Sequence, residues 1–155
     1  MKEYIKYAVD RAAELLAIDS PTGYTSEAAA WTKAAFEELG CEAKYTNKGG
    51  VIADLGGRDT ENAILLYAHV DTLGGIVNEI KGSGRLKIVP LGGLKTENTE
   101  TETVRVHTRD GKVIEGTCQL CNASVHVNPD YRTAARNFDT IEIVLDEKAD
   151  SADET

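Results

Sequence analysis

The chain has 155 residues, 41% hydrophobic and 28% charged, the balance of an ordinary water-soluble globular protein. Its formal charge of −9 disfavours nucleic acid and anionic membranes as partners, since both demand clustered Lys and Arg. No apolar run reaches the length of a membrane span, the N-terminus is broken by charge where a secretory signal needs an apolar core, and three cysteines cannot complete a disulfide framework, so a cytoplasmic protein is the expectation.

The first elements are helical. Ile5, Ala8, Val9, Ala12, Leu15 and Leu16 recur at intervals of three and four and predict an amphipathic helix over 2–17. Ser20-Pro21-Thr22-Gly23 ends it, because Pro21 pushes its predecessor out of helical geometry and Gly23 allows a turn. Thr25 or Ser26 can cap a second helix over 26–39, with Glu27 in its first turn, Ala28, Trp31, Ala35 and Leu39 facing inward, and Gly40 as the stop. Glu37-Glu38 near its end reads as a solvated charged face rather than a catalytic carboxylate pair. Short strands follow near 41–46 and 51–55, joined by a turn at Asn47-Lys48-Gly49-Gly50.

The stretch 63–69 is the chemical centre of the sequence. Ala63 to Ala68 carries no charge, is rich in apolar side chains and is followed closely by Gly74-Gly75, so it predicts a strand buried on both faces. His69 and Asp71 lie two residues apart at its carboxyl end, where extended geometry points both side chains the same way and where open α/β sheets bind ligands. A histidine that binds metal through one ring nitrogen usually donates its other N–H to a carboxylate or carbonyl, which fixes its tautomer. His-x-Asp by itself is a weak motif, and most such pairs are ordinary surface contacts.

After Asp71 helical periodicity stops. Residues 76–80 and 85–89 flank Lys81-Gly82-Ser83-Gly84, a hairpin signal. The polar run 95–103 predicts a mobile loop or an exposed edge. Residues 104–108 and 113–117 flank Asp110-Gly111, a second hairpin. Residues 124–127 and 140–145 alternate, the latter with Ile141, Ile143 and Leu145 on one face. This half predicts a small all-β module of six or so short strands, a barrel or sandwich. His107 and His126 fall on alternating strands opposite valines, and both are expected to be exposed. Cys118-x-x-Cys121 with His126 spells most of a zinc knuckle, but the fourth ligand would fall at Tyr131, and a closed site needs four, so half-buried thiols on a strand are preferred. At the end, Ser151 with Glu154 has the capping-box spacing that opens a helix, and with the incomplete sheet it suggests a polypeptide cut as another helix begins.

Four stretches, SPTGYTSEAA at 20–29, TNKGGVIADLGG at 46–57, LLYAHVDTLGGIV at 65–77 and the run from GTCQLCNASVHV through RTAARNFDTIEIVLDEK, resemble the glutamyl and deblocking aminopeptidases that assemble as tetrahedral particles. The resemblance covers essentially this whole chain and the N-terminal part of a typical member. It implies a partial α/β catalytic layer over 1–72, built of the two helices and the strands near 41–46, 51–55 and 63–69. An inserted, β-rich, barrel-like dimerisation domain would occupy 73–155. It implies two divalent metals, zinc or cobalt, that activate a water while a carboxylate acts as general base. By the match, His69 is a ligand of one metal and Asp71 orients it. The other ligands and the base belong to family segments with no counterpart in these 155 residues, so this chain alone is expected to hold no metal tightly and to be inactive. His126 is a partial match to a residue that approaches the site across a dimer. Peptide substrates and a homo-oligomer are the expected partners.

Two other functions compete. One is a dimerisation or assembly module without catalysis, or a split-gene subunit. The other is an endoglucanase-type glycoside hydrolase, which needs two carboxylates flanking a sugar; no convincing pair stands in the sequence, and an aromatic content of 6% offers little stacking surface.

Overall fold

The computed structural model describes residues 1–59 and 61–155. The chain forms two compact units, Met1–Leu73 and Gly74–Thr155. In the first, α1 (Lys2–Leu16) and α2 (Ser26–Glu38) form as the periodicity predicts. Thr25 is the N-cap of α2, yet no side chain caps the helix; Thr25 has the wrong backbone geometry, with ψ near 4° where a capping residue is extended. The other end is closed as Gly40 predicts. With φ +80°, Gly40 donates to the Glu37 carbonyl, and Cys41 donates to that of Phe36, the paired bonds of a Schellman motif.

Strands β1 (Glu42–Tyr45) and β2 (Val51–Asp54) pair as an antiparallel hairpin around Gly49. Their turn is fixed by Thr46, which donates its N–H to the Gly50 carbonyl and accepts the Gly50 N–H on its hydroxyl. Burial in this unit is sparse. Ala28, Ala29 and Ala43 are its buried apolar residues, and Ile5, Val9, Leu16 and Leu39 of the predicted apolar faces are exposed.

The strand expected over 63–69 does not form. Residues 63–70 have no ladder partner among the described residues, and Ile64 to Tyr67 are between 74% and 91% exposed. A strand exists through its neighbours, because its N–H and C=O groups need partners as its side chains need cover. Just beyond this stretch, Thr72 forms an isolated parallel bridge with Pro21.

The second unit is one antiparallel sheet in the order β3-β4-β7-β6-β5. Its strands are β3 (Gly74–Ile80), β4 (Leu86–Leu91), β5 (Thr103–His107), β6 (Val113–Leu120) and β7 (Ile141–Leu145). It has two free edges among the described strands, so it is open, and five strands replace the expected six. The missing strand is 124–127, which is a set of turns held by the Asn128 side chain on the Asn122 carbonyl and by the Asn128 N–H on that of Ser124. The β3–β4 register slips by one residue at Asn78, a bulge. The core is made by Leu86, Ile88 and Ile143 together with Cys118, Leu120 and Ile141; Val104 and Phe138 touch both groups.

The run 95–103 is mostly exposed and leads into the edge strand β5, as expected, but two of its threonines are anchored inside. It contains a 3-10 turn (Thr96–Asn98) and buries Thr96 and Thr99. Each threonine hydroxyl has a backbone acceptor, the Arg136 carbonyl for Thr96 and the Lys95 carbonyl for Thr99. Residues 151–154 make a single turn rather than a helix, with the Glu154 carboxylate accepting from the Asp150 N–H at 2.9 Å. No helix among the described residues is long and apolar enough to cross a membrane.

Candidate metal-ligand site

The structure brings His69 and Asp71 together. Nδ1 of His69 lies 3.1 Å from Asp71 Oδ1 and 3.0 Å from the Asp71 carbonyl oxygen. An ionised carboxylate and a carbonyl only accept, so in the neutral ring the proton sits on Nδ1 and Nε2 carries the free lone pair. The imidazole is 85% exposed and Asp71 37%.

The loop between α1 and α2 sets the other side of this pair. The Thr72 N–H donates to the Ser20 carbonyl at 2.7 Å, which with the Pro21–Thr72 bridge lays residues 20–22 along 71–72. The Thr22 hydroxyl then donates to Asp71 Oδ2 at 2.7 Å. That bond, with a smaller contribution from the His69 ring, holds the Asp71 carboxyl below its usual pKa against the opposing effect of desolvation. Asp71 is therefore the carboxylate that a polarised histidine needs. Thr22 is the residue that sequence reasoning missed. It read as a turn residue, and a contact spanning 49 positions leaves no local signal. Ser20 is buried beside it, and its hydroxyl has no partner among the described residues.

The remaining candidates stand elsewhere in the chain. His107 on β5 and His126 in the turns after β6 are both exposed. Cys118 is fully buried, and burial, helped by the Glu100 charge, pushes its thiol up to about 11, so without a metal it stays protonated. Cys121 is exposed and its sulfur lies 3.4 Å from Lys81 Nζ. All three cysteines are free. Glu37 and Glu38 pair with Lys33 and Arg11 on an exposed helix face, as expected.

A divalent cation, as the resemblance implies, would find the right donor here in kind but not in number. His69 offers one unprotonated nitrogen, while a catalytic zinc takes three protein ligands. Among the described residues no group of three or more His, Cys, Asp and Glu stands close enough to hold a metal ion. No catalytic step through a metal follows from this chain by itself.

Comparison with known proteins identifies the lineage. YhfE of Bacillus subtilis, named a candidate aminopeptidase, is 45% identical over 134 residues, covering 86% of this chain and 39% of its own length. The glutamyl aminopeptidase of Lactococcus lactis is 31% identical over 107 residues, 68% of this chain and 30% of its own. Among solved structures, a TET aminopeptidase from a marine sediment Thaumarchaeota archaeon superposes with a TM-score of 0.82 at 25% identity, over 97% of this chain and 41% of that one. A Thermotoga maritima protein described as an endoglucanase shares the fold, with a TM-score of 0.69 at 24% identity, over 91% of this chain and 39% of its own. The chain thus spans about two-fifths of the length of the first of these relatives. A profile of the M42 glutamyl aminopeptidases matches residues 49–155, and with these relatives it shows that the chain belongs to that family.

Proposed function

We propose that these residues are the N-terminal portion of an aminopeptidase that removes N-terminal residues from peptides with two divalent metals, zinc or cobalt. In this reading His69 binds one metal through Nε2, and Asp71 fixes its tautomer and aim. The observation that carries it is the Nδ1–Asp71 contact, which leaves Nε2 as the free donor on a stretch that matches the family. The domain reading follows the same match, with 1–72 as the first part of the catalytic domain and 73–155 as an inserted dimerisation domain.

This chain alone is inactive and binds zinc or cobalt weakly, because one imidazole is not a two-metal site. Calorimetric titration with each metal, alongside hydrolysis of glutamyl- and leucyl-p-nitroanilide, tests this. Micromolar metal affinity with turnover from the 155 residues would overturn it.

A homo-oligomer is the proposed assembly. A similar solved structure, the Pyrococcus horikoshii TET1 peptidase, is described as assembling into a tetrahedron or a large octahedral shell. Light scattering decides for this chain, and a strict monomer at high concentration counts against it. The endoglucanase reading has only the shared fold in its favour, and failure to release reducing ends from carboxymethyl cellulose closes it.

A further inference from the structure

We infer that Thr22 is a positioning residue for His69, acting through Asp71, because the threonine hydroxyl and the imidazole hold the two opposite oxygens of one carboxylate. The inference rests on the reading of His69 and Asp71 given above and extends it to a second segment of the chain.

The geometry distinguishes support from mere proximity. A carboxylate held at one oxygen can turn about its terminal torsion, which is broad and roughly two-fold. Held at both, it has one plane. Thr22 Oγ1 donates to Oδ2 at 2.7 Å while His69 Nδ1 faces Oδ1 at 3.1 Å. Asp71 is more than a third exposed, so packing does not fix that plane. The hydroxyl bond does.

Thr22 itself is placed independently of its hydroxyl. The Thr72 N–H to Ser20 carbonyl bond and the Pro21–Thr72 bridge align the two backbones, and Pro21 fixes its own φ. The Tyr24 N–H closes the turn on the Pro21 carbonyl at 2.8 Å. Removing only the hydroxyl should therefore leave the loop in place and free the carboxylate. The consequence falls on the proton of the ring. Free histidine in water favours the proton on Nε2, whereas the Asp71 contacts require it on Nδ1. Thr22 thus helps hold His69 in the form whose Nε2 can act as a donor. The contact with the Asp71 carbonyl survives the loss, so the expected effect is a partial shift.

Two-bond proton–nitrogen correlation spectra of the 15N-labelled chain at about pH 8, where an ordinary imidazole is neutral, report the tautomer of each ring. His69 is assigned by its loss in His69→Asn. The wild type should show protonated Nδ1 and bare Nε2. Thr22→Val should move the tautomer ratio roughly two- to tenfold toward protonated Nε2, the range that one hydrogen bond of ordinary net strength implies. Thr22→Ser should restore the wild-type pattern, which a simple packing role for the side chain would not do. Thr22→Ala gives a second hydroxyl-free variant should the valine disturb the unit. If Asp71→Ala shifts the ratio while both hydroxyl-free variants leave it unchanged, the role of Thr22 is refuted and that of Asp71 stands. If Asp71→Ala also leaves it unchanged, the parent reading of the pair fails.

Discussion

The hydroxyl of Thr22 and the hydroxyl of Ser20 sit two residues apart and do opposite things. Thr22 satisfies a carboxylate; Ser20 Oγ is buried with no partner among the described residues. An unmade buried hydrogen bond costs about 1–3 kcal/mol, so Ser20→Ala should be neutral or stabilising by about 1 kcal/mol. The Ser20 carbonyl, which holds Thr72, is unaffected by the change. Urea denaturation checks this, and a loss of stability would mean that the hydroxyl has a partner in solution. Glu142 is a second buried polar residue, 3% exposed on β7, and it is fully paired. Burial alone would raise its pKa, but the Lys81 bond at 2.8 Å and the Arg85 contact outweigh that and hold it below the ordinary value. A depressed carboxyl pKa gives stability that is present above the unfolded value, near 4.5, and is lost as pH falls through the folded one. The urea midpoint should therefore drop in acid below the ordinary glutamate range, and Glu142→Gln should flatten that part of the profile. Glu142→Ala should cost about 2–3 kcal/mol, less than breaking a fully buried pair, because Lys81 and Arg85 keep part of their hydration. An unchanged acid profile in Glu142→Gln would show that other carboxylates govern it.

Gly116 shows how closely β6 and β7 approach. A Cβ built there would lie 2.7 Å from the Val144 carbonyl oxygen and 2.9 Å from Ile143 Cγ2, so the neighbouring strand would have to move. Gly116→Ala should destabilise the second unit by about 1–3 kcal/mol, the usual cost of overpacking. Thermal unfolding followed by circular dichroism measures it, and a wild-type midpoint would mean that the strands separate easily. No alternation pattern announces this glycine, which occupies an inward position beside Cys118 and Leu120 as though it carried a side chain. The elements that were legible are those fixed locally. α1 and α2 follow from apolar spacing, the Gly40 stop from its left-handed φ, and the hairpins at Gly49, Gly84 and Gly111 from turn residues that share that conformation. The illegible ones depend on distant partners. Ala63 to Ala68 has the composition of a buried strand, and composition cannot supply the neighbours that would pair it. The run 95–103 reads as solvated loop, and only Arg136, 40 residues on, supplies the acceptor that anchors Thr96. At the candidate site His69 and Asp71 were legible because they are two apart. Thr22 was not, because only the folded loop carries it to Asp71.

Across the whole molecule the two units differ in what they bury. Met1–Leu73 buries three alanines as its apolar interior, while Gly74–Thr155 buries Leu86, Ile88, Cys118, Leu120, Ile141 and Ile143. At roughly 25 cal/mol per Å² of apolar surface, six larger side chains withdraw far more driving force from water than three methyl groups. Helix α1 has no buried residue at all; it is held by local terms such as the Lys6–Asp10 pair and by Arg11, which reaches Glu38 and the Trp31 ring of α2, and exposed pairs of that kind are worth only a few tenths of a kcal/mol. The first unit should therefore open at much lower free energy than the second. Native-state hydrogen exchange resolves this residue by residue, because local opening and global unfolding protect amides to different degrees. Amides of α1, α2 and the β1–β2 hairpin should exchange early, and those of β6 and β7, whose side chains make the core, should exchange last. Proteolysis under native conditions should likewise cut within 1–73 before it cuts within 74–155. Equal protection in the two units would require an interior in the first that its alanines do not provide, and would remove the burial argument for the exposed apolar stretch ahead of His69.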